Sequence, residues 1–267
     1  MVQWRAFTIR RINHGIASVS LQEPRLGGVF AILNLVYIFA VATLGLIIGS
    51  FLNVLILRLN TGRSVIKGRS QCFSCGHKLR WYELVPVVSF VLQHGRCRSC
   101  KSRISWQYLI IEISTSILFV LLAWRVFPLL YYPITALLIA ILVYDLKHKI
   151  IPDVLVYIFI ILAAISGQEW LTGFALFSFF VFLWFVSRGK WMGFGDAKLV
   201  LGIGFLLGPS LSASAMLIAF WSGALVGITL LFVSRGGVTM KSEIPFAPFL
   251  ILGTLTSLLF QINIQLF

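Results

Sequence analysis

The stretch VFAILNLVYIFAVATLGLIIGSFLNVLIL, running from Val29 to Leu57, contains no charged residue. Crossing the hydrocarbon core of a bilayer takes about 20 apolar residues, whereas the core of a cleaved signal peptide has only about 7–15. The run is therefore expected to be a retained transmembrane span. Beyond it, after a polar stretch from 58 to 106, apolar runs recur near 107–124, 127–144, 150–167, 171–187, 196–209, 211–233 and 246–266. Of the 267 residues, 59% are hydrophobic and 11% charged, against roughly 45–50% and about 25% in soluble domains. These proportions exclude an ordinary soluble enzyme. The expected fold is an all-α polytopic integral membrane protein of about eight transmembrane helices, with no internal repeat.

Charge orients the spans. Against eight Asp and Glu stand 22 Lys and Arg, a formal net charge of +14, and ten of those cations lie between Arg58 and Arg103. Loops after odd-numbered spans hold this block, then Lys147 with Lys149, Arg188 with Lys190, and Arg235 with Lys241; loops after even-numbered spans hold only Arg125. By the positive-inside rule the odd loops are cytoplasmic. The basic block lacks the aromatic interleaving of a nucleic-acid groove, so its expected partner is the lipid bilayer and no nucleic acid. One segment conflicts with this topology: residues 1 to 28 carry Arg5, Arg10, Arg11 and Arg25 on the side assigned as external. An amphipathic surface helix, a start further downstream or a misplaced first span would each reconcile it.

All four cysteines fall in the first cytoplasmic loop, as Cys72-Phe-Ser-Cys75 and Cys97-Arg-Ser-Cys100. Two CxxC knuckles at this separation form a zinc-ribbon pattern, each turn presenting two thiolates toward one closed tetrahedral site. The alternative, two disulfides, requires an oxidising compartment, against the charge pattern. A site filled by four thiolates scaffolds rather than catalyses. In so small a loop, metal binding supplies much of the folding free energy.

Asp145 closes the third span and Asp196 opens the sixth, within Gly193-Phe-Gly195-Asp196-Ala-Lys198. Two spans lie between them, so both carboxylates return to one membrane edge, where an ionisable side chain is costly and a functional candidate. A close pair in a poorly hydrated site shares a proton, one member acting as base on a water and the other as acid toward the leaving amide. Gly193 and Gly195 let the backbone bend and approach a substrate. The bland reading has these aspartates capping helices or pairing with Lys147, Lys149, Lys190 and Lys198. Asp153, after Pro152, is expected to cap the fourth span. Glu112 inside the second span calls for a partner or a cavity, and Glu83 supports either the ribbon or a ligand site. The Gly49-Ser50 pair reads as helix packing. No Ser/His/Asp triad or phosphate-binding glycine loop is present.

Together these motifs resemble the bacterial type IV prepilin peptidases, membrane aspartyl proteases with a Gly-x-Gly-Asp motif. The likeness runs from about residue 45 to 250, through Gly49-Ser50-Phe51-Leu52-Asn53-Val54, both CxxC knuckles with Glu83, Pro86 and Ser89 between them, Tyr108, Glu112, Asp145, Pro152-Asp153, Gly193 to Leu199, and Pro245 to Phe249. Asn60 and Ala247 stand where the family usually has proline and glycine. The resemblance implies that Asp145 and Asp196 are the catalytic pair, supported by Gly193, Gly195, Lys198 and Asp153, and that Cys72, Cys75, Cys97 and Cys100 bind metal. It implies removal of the short basic leader of prepilins or pseudopilins after a glycine, at the cytoplasmic face of the bacterial inner membrane. It also implies N-methylation of the new amino terminus from S-adenosylmethionine, with Glu83 and Glu112 as neighbours of that cofactor. The expected organisation is a basic extension (1–28), a first transmembrane helix (29–57), a zinc-binding loop (58–106) and a seven-helix peptidase domain (107–267). Two rival readings are a protease cutting deeper within the bilayer and a zinc-ribbon scaffold whose aspartates pair with lysines.

Overall fold

A computed structural model describes residues 26–61, 64–65, 68–167, 169–233 and 245–262. The chain divides into two compact units, Met1–Val36 and Tyr37–Phe267, and every site discussed below lies in the second. Most of the basic extension, and the loop holding Arg235 and Lys241, fall outside the described residues.

Helices account for all the expected spans, with shifted ends: α1 (Leu26–Arg58), α2 (Val88–Leu92), α3 (Trp106–Trp124), α4 (Tyr131–His148), α5 (Asp153–Ser166), α6 (Trp170–Ser187), α7 (Phe194–Val233) and α8 (Ala247–Phe260). The two spans expected at 196–209 and 211–233 are the two helical halves of α7, separated at Gly208, where φ is +70° and ψ −176°, immediately before Pro209. Only glycine takes this backbone without strain, and proline cannot donate the hydrogen bond that would continue the helix. Among the described residues, four helices are long and apolar enough to cross a membrane: α1 from Ile32, α3, α6, and α7 as far as Leu230. The 14-residue α5 and α8 extend only about 21 Å at 1.5 Å per residue, short of a bilayer core of about 30 Å.

The buried core centres on α4, the first half of α7 and α8, through Ile134, Leu138, Ile141, Leu199, Ile203 and Leu250. Exposed apolar side chains such as Phe39, Phe182 and Phe185 cover α1 and α6, as expected of helices bordered by lipid. Small residues bring the helices close. A methyl group added at Gly204 would lie 2.5 Å from the Gly173 Cα, and one at Gly253 2.2 Å from the Ala215 carbonyl oxygen. In the same way Gly45 and Gly49 of α1 meet Ser116 and Glu112 of α3, the packing expected of Gly49-Ser50.

Candidate active site and metal centre

Asp145 sits in the last turn of α4 and Asp196 in the first turn of α7. Both side chains are buried, at 4% and 6% exposure. The Gly193 N–H donates to Asp196 Oδ2 at 3.2 Å while the Asp196 N–H returns to the Gly193 carbonyl at 3.2 Å. This is one half of a capping box, so Asp196 does cap its helix, as the bland reading anticipated. Asp145 forms no ion pair among the described residues. Its Oδ2 is buried with no hydrogen-bond partner, and Asp196 likewise forms no ion pair among them. A buried carboxylate oxygen left without a donor is costly, which suits a group that receives a water or a substrate.

The surrounding loops are clamped. Lys149 turns the chain after α4 in the left-handed region, its N–H bonding the Asp145 carbonyl at 2.7 Å. Ile151 then packs on Gly195, where an added Cβ would lie 3.0 Å from the Ile151 Cβ. Asp153 does not cap α5: Pro152 holds the cap position and no side-chain cap bond forms. Its carboxylate instead accepts from Lys198 at 2.7 Å, and the Lys198 ammonium also lies over the Tyr157 and Phe194 rings at 5.2 and 5.3 Å. Lys198, offered above as a partner for the aspartates of the pair, is thus spent on α5. Asn60, just past α1, donates to the Tyr144 hydroxyl at 2.9 Å, fixing the residue before Asp145. The pairing of Asn60 with Tyr144 joins segments far apart in the chain and leaves no periodic signal.

In the loop, each CxxC turn is closed by one bridge pair, Gln71 with Lys78 and Arg96 with Arg103. The residue after each second cysteine, Gly76 or Lys101, adopts positive φ. No longer strand forms among the described residues, so the ribbon consists of these two knuckles. All four cysteines are free, and their sulfurs lie within 4.8 Å of one another, Cys72 and Cys100 at 3.8 Å. Tetrahedral zinc at about 2.3 Å from each thiolate sets the sulfurs roughly 3.8 Å apart, so the donor set fits. Backbone N–H donation from Cys75 lowers the Cys72 thiol to about 6. Cys75 is pushed up to about 11, its backbone hydrogen bond at His77 outweighed by thiol contacts with Cys100, Cys72 and Cys97 and by burial. Such crowding disfavours several thiolates at once unless a cation neutralises them.

Glu83 belongs to this knuckle: its carboxylate accepts the Arg80 N–H at 2.8 Å and faces His77 Nε2 at 3.6 Å. Glu112 lies elsewhere, on α3 against α1, accepting the Val87 N–H at 2.7 Å.

The model of the bacterial peptidase A24 N-terminal domain matches residues 43–126, and that of the type IV leader peptidase family residues 132–228. A prepilin leader peptidase/N-methyltransferase of Bacillus subtilis is 33% identical over 85% of this chain and 94% of its own length. The chain belongs to the type IV leader peptidase family. Proteins of the same description from Pseudomonas putida and Myxococcus xanthus are 31% and 34% identical, each across 80% of this chain and 88% and 68% of their own lengths. No solved structure matches. Both aspartates lie in the segment matched by the family's peptidase model, and all four cysteines in that matched by its N-terminal model. Family membership and the apolar helices make the chain an integral membrane protein.

Proposed function

We infer that this protein is a membrane aspartyl endopeptidase that removes the leader of type IV prepilins or pseudopilins after a glycine, and then methylates the new amino terminus. The observation that carries the peptidase half is the buried Asp145–Asp196 pair at adjoining helix ends, without a cationic partner among the described residues. One carboxylate takes a proton from water as that water attacks the scissile carbonyl, and the other protonates the departing amide nitrogen. Gly193 and Gly195 keep side chains off the approach to Asp196, while Lys198 and Asp153 hold the α5 and α7 ends together. Placement at helix ends favours cleavage at the membrane edge over cleavage deep in the bilayer, suiting a substrate with a membrane-anchored helix and an aqueous leader. The positive-inside pattern assigns that edge to the cytoplasmic face of the inner membrane.

The peptidase domain is residues 107–267, and the loop 58–106 is a cytoplasmic unit. Zinc held by Cys72, Cys75, Cys97 and Cys100 supplies a structural crosslink there. S-adenosylmethionine supplies the methyl group. Buried atoms without partners in the segment matched by the N-terminal model, Asn53 Oδ1 and Gln107 Nε2, are compatible with a polar ligand there. The test is incubation of the detergent-solubilised protein with a prepilin, with and without S-adenosylmethionine, reading the product's amino terminus by mass spectrometry. Cleavage after the leader glycine with one added methyl supports both halves; intact prepilin refutes the peptidase reading.

A further inference from the structure

The seam between α1 and α3 is polar where it approaches the cysteine loop. Gly49 touches the Glu112 backbone, and Ser50 lies close to the Glu112 side chain. One turn further along α1, the Asn53 amide nitrogen donates to the carbonyls of Gly49 and Tyr108, both at 3.2 Å. Those two acceptors fix the amide's orientation, so Oδ1 is the acceptor left over. Asn53 is 1% exposed and its Oδ1 has no donor. Gln107, one residue before Tyr108, has a buried Nε2 with no acceptor.

Glu112 is 6% exposed and forms no ion pair among the described residues. Its neighbours orient it without neutralising it. The Val87 N–H that it accepts comes from a strained turn: Val87 has φ +60° and ψ −53°, and the Val88 N–H bonds the Pro86 carbonyl at 2.6 Å. These are the features of a γ-turn, which is rare for a β-branched residue and costly unless its surroundings hold it. A buried carboxylate with no cation among the described residues, on the same α1–α3 seam as an unmet acceptor, calls for a ligand carrying several N–H donors and a positive charge.

We propose that Glu112, Ser50 and Asn53 form a binding site for an α-ammonium group. Glu112 and Asn53 Oδ1 accept its N–H donors. Resting on the function inferred above, the site serves the methylation half. Two molecules of that reaction carry such a group: the cleaved substrate at its new amino terminus, and the amino-acid part of the methyl donor. If the group is the substrate's, an N–H bond breaks and the proton passes to the Glu112 carboxylate, leaving the neutral amine that methylation requires.

The experiment measures binding to the purified full-length protein and to its Glu112→Gln and Ser50→Ala variants, with no turnover. One probe is the leaderless substrate segment with its α-amino group free or acetylated; the other is S-adenosylhomocysteine. Hydrogen bonds to a charged group predict that Glu112→Gln, which keeps an acceptor for Val87, weakens one probe about tenfold or more, with a smaller loss in Ser50→Ala. Loss of the preference for free over acetylated amine assigns the site to the substrate. Weakened S-adenosylhomocysteine binding with that preference intact assigns it to the donor. Unchanged binding of both probes in Glu112→Gln overturns the proposal, as does loss of leader cleavage in that variant, which would make Glu112 a structural support. A parent protein that neither cleaves nor methylates would refute the inferred function instead, because the binding comparison needs neither activity.

Discussion

Replacing Gly49 by alanine tests whether the α1–α3 seam is built to one tolerance. The added methyl would stand 2.7 Å from the Glu112 Cα, 3.0 Å from the Ile111 carbonyl oxygen and 3.2 Å from Thr115 Oγ1. The nearest contact is backbone, so no side-chain rotation relieves it. Ordinary contact begins at 3.4 Å, and 3.4 minus 2.7 leaves 0.7 Å to be found by moving one helix. Overpacking of this kind costs about 1–3 kcal/mol. The shift also carries Ser50 and Asn53 away from Glu112, whereas the aspartate pair sits on α4 and α7. Gly49→Ala should therefore lower the midpoint of thermal unfolding in detergent and reduce methylation several-fold more than cleavage, both read on one prepilin substrate. An unchanged midpoint with both activities intact would refute the close packing; equal loss of both would refute the separation of the two sites.

Three further outcomes follow from the geometry. Lys198→Met removes the Asp153 ion pair and both ring contacts, each worth at most about 1 kcal/mol at a partly exposed site. Cleavage should slow several-fold through kcat with little change in KM, and Lys198→Arg should recover part of it; a change confined to KM would instead place Lys198 in substrate binding. Cysteine-to-serine replacement at Cys97 should abolish stoichiometric zinc, measured by mass spectrometry, and expose the loop to protease; full retention of zinc would contradict the four-thiolate centre. Zinc affinity should rise with pH. Cys72, lowered to about 6, is largely ionised at neutral pH, while Cys75, raised to about 11, must lose its proton to the metal. Zinc uptake at pH 7 should therefore release protons, seen as a buffer-dependent heat in titration calorimetry; a buffer-independent heat would oppose this.

Apolar runs located every long helix because burial in lipid is a property of composition. They misplaced the ends of α4 because side-chain polarity and helical hydrogen bonding are separate quantities. Phe127 to Leu130 are apolar yet precede the helix, while Asp145, Lys147 and His148 are polar yet continue it. The break at Gly208-Pro209 was readable, since both residues disrupt helical backbone. The cysteine cluster was legible because CxxC spacing is local in sequence, and Asp145 and Asp196 stood out as acids at the ends of apolar runs. The Asp153–Lys198 pair and the role of Glu83 were not, since a carboxylate beside a helix start has several acceptable partners and only tertiary packing chooses among them. Asn53, Gln107 and Val87 carried no sequence signal of unmet hydrogen bonds or strain, which arise where α1, α3 and the loop converge.

The central claim is that Asp145 and Asp196 work as one catalytic pair. The most direct measurement is single-turnover cleavage of a prepilin by the parent, Asp145→Asn, Asp196→Asn and the double variant, each reconstituted at equal folded amount. Groups acting as a unit lose nearly everything with either member, so each single variant should fall to the level of the double. Cleavage surviving in either single variant, or losses that multiply in the double, would contradict the pair.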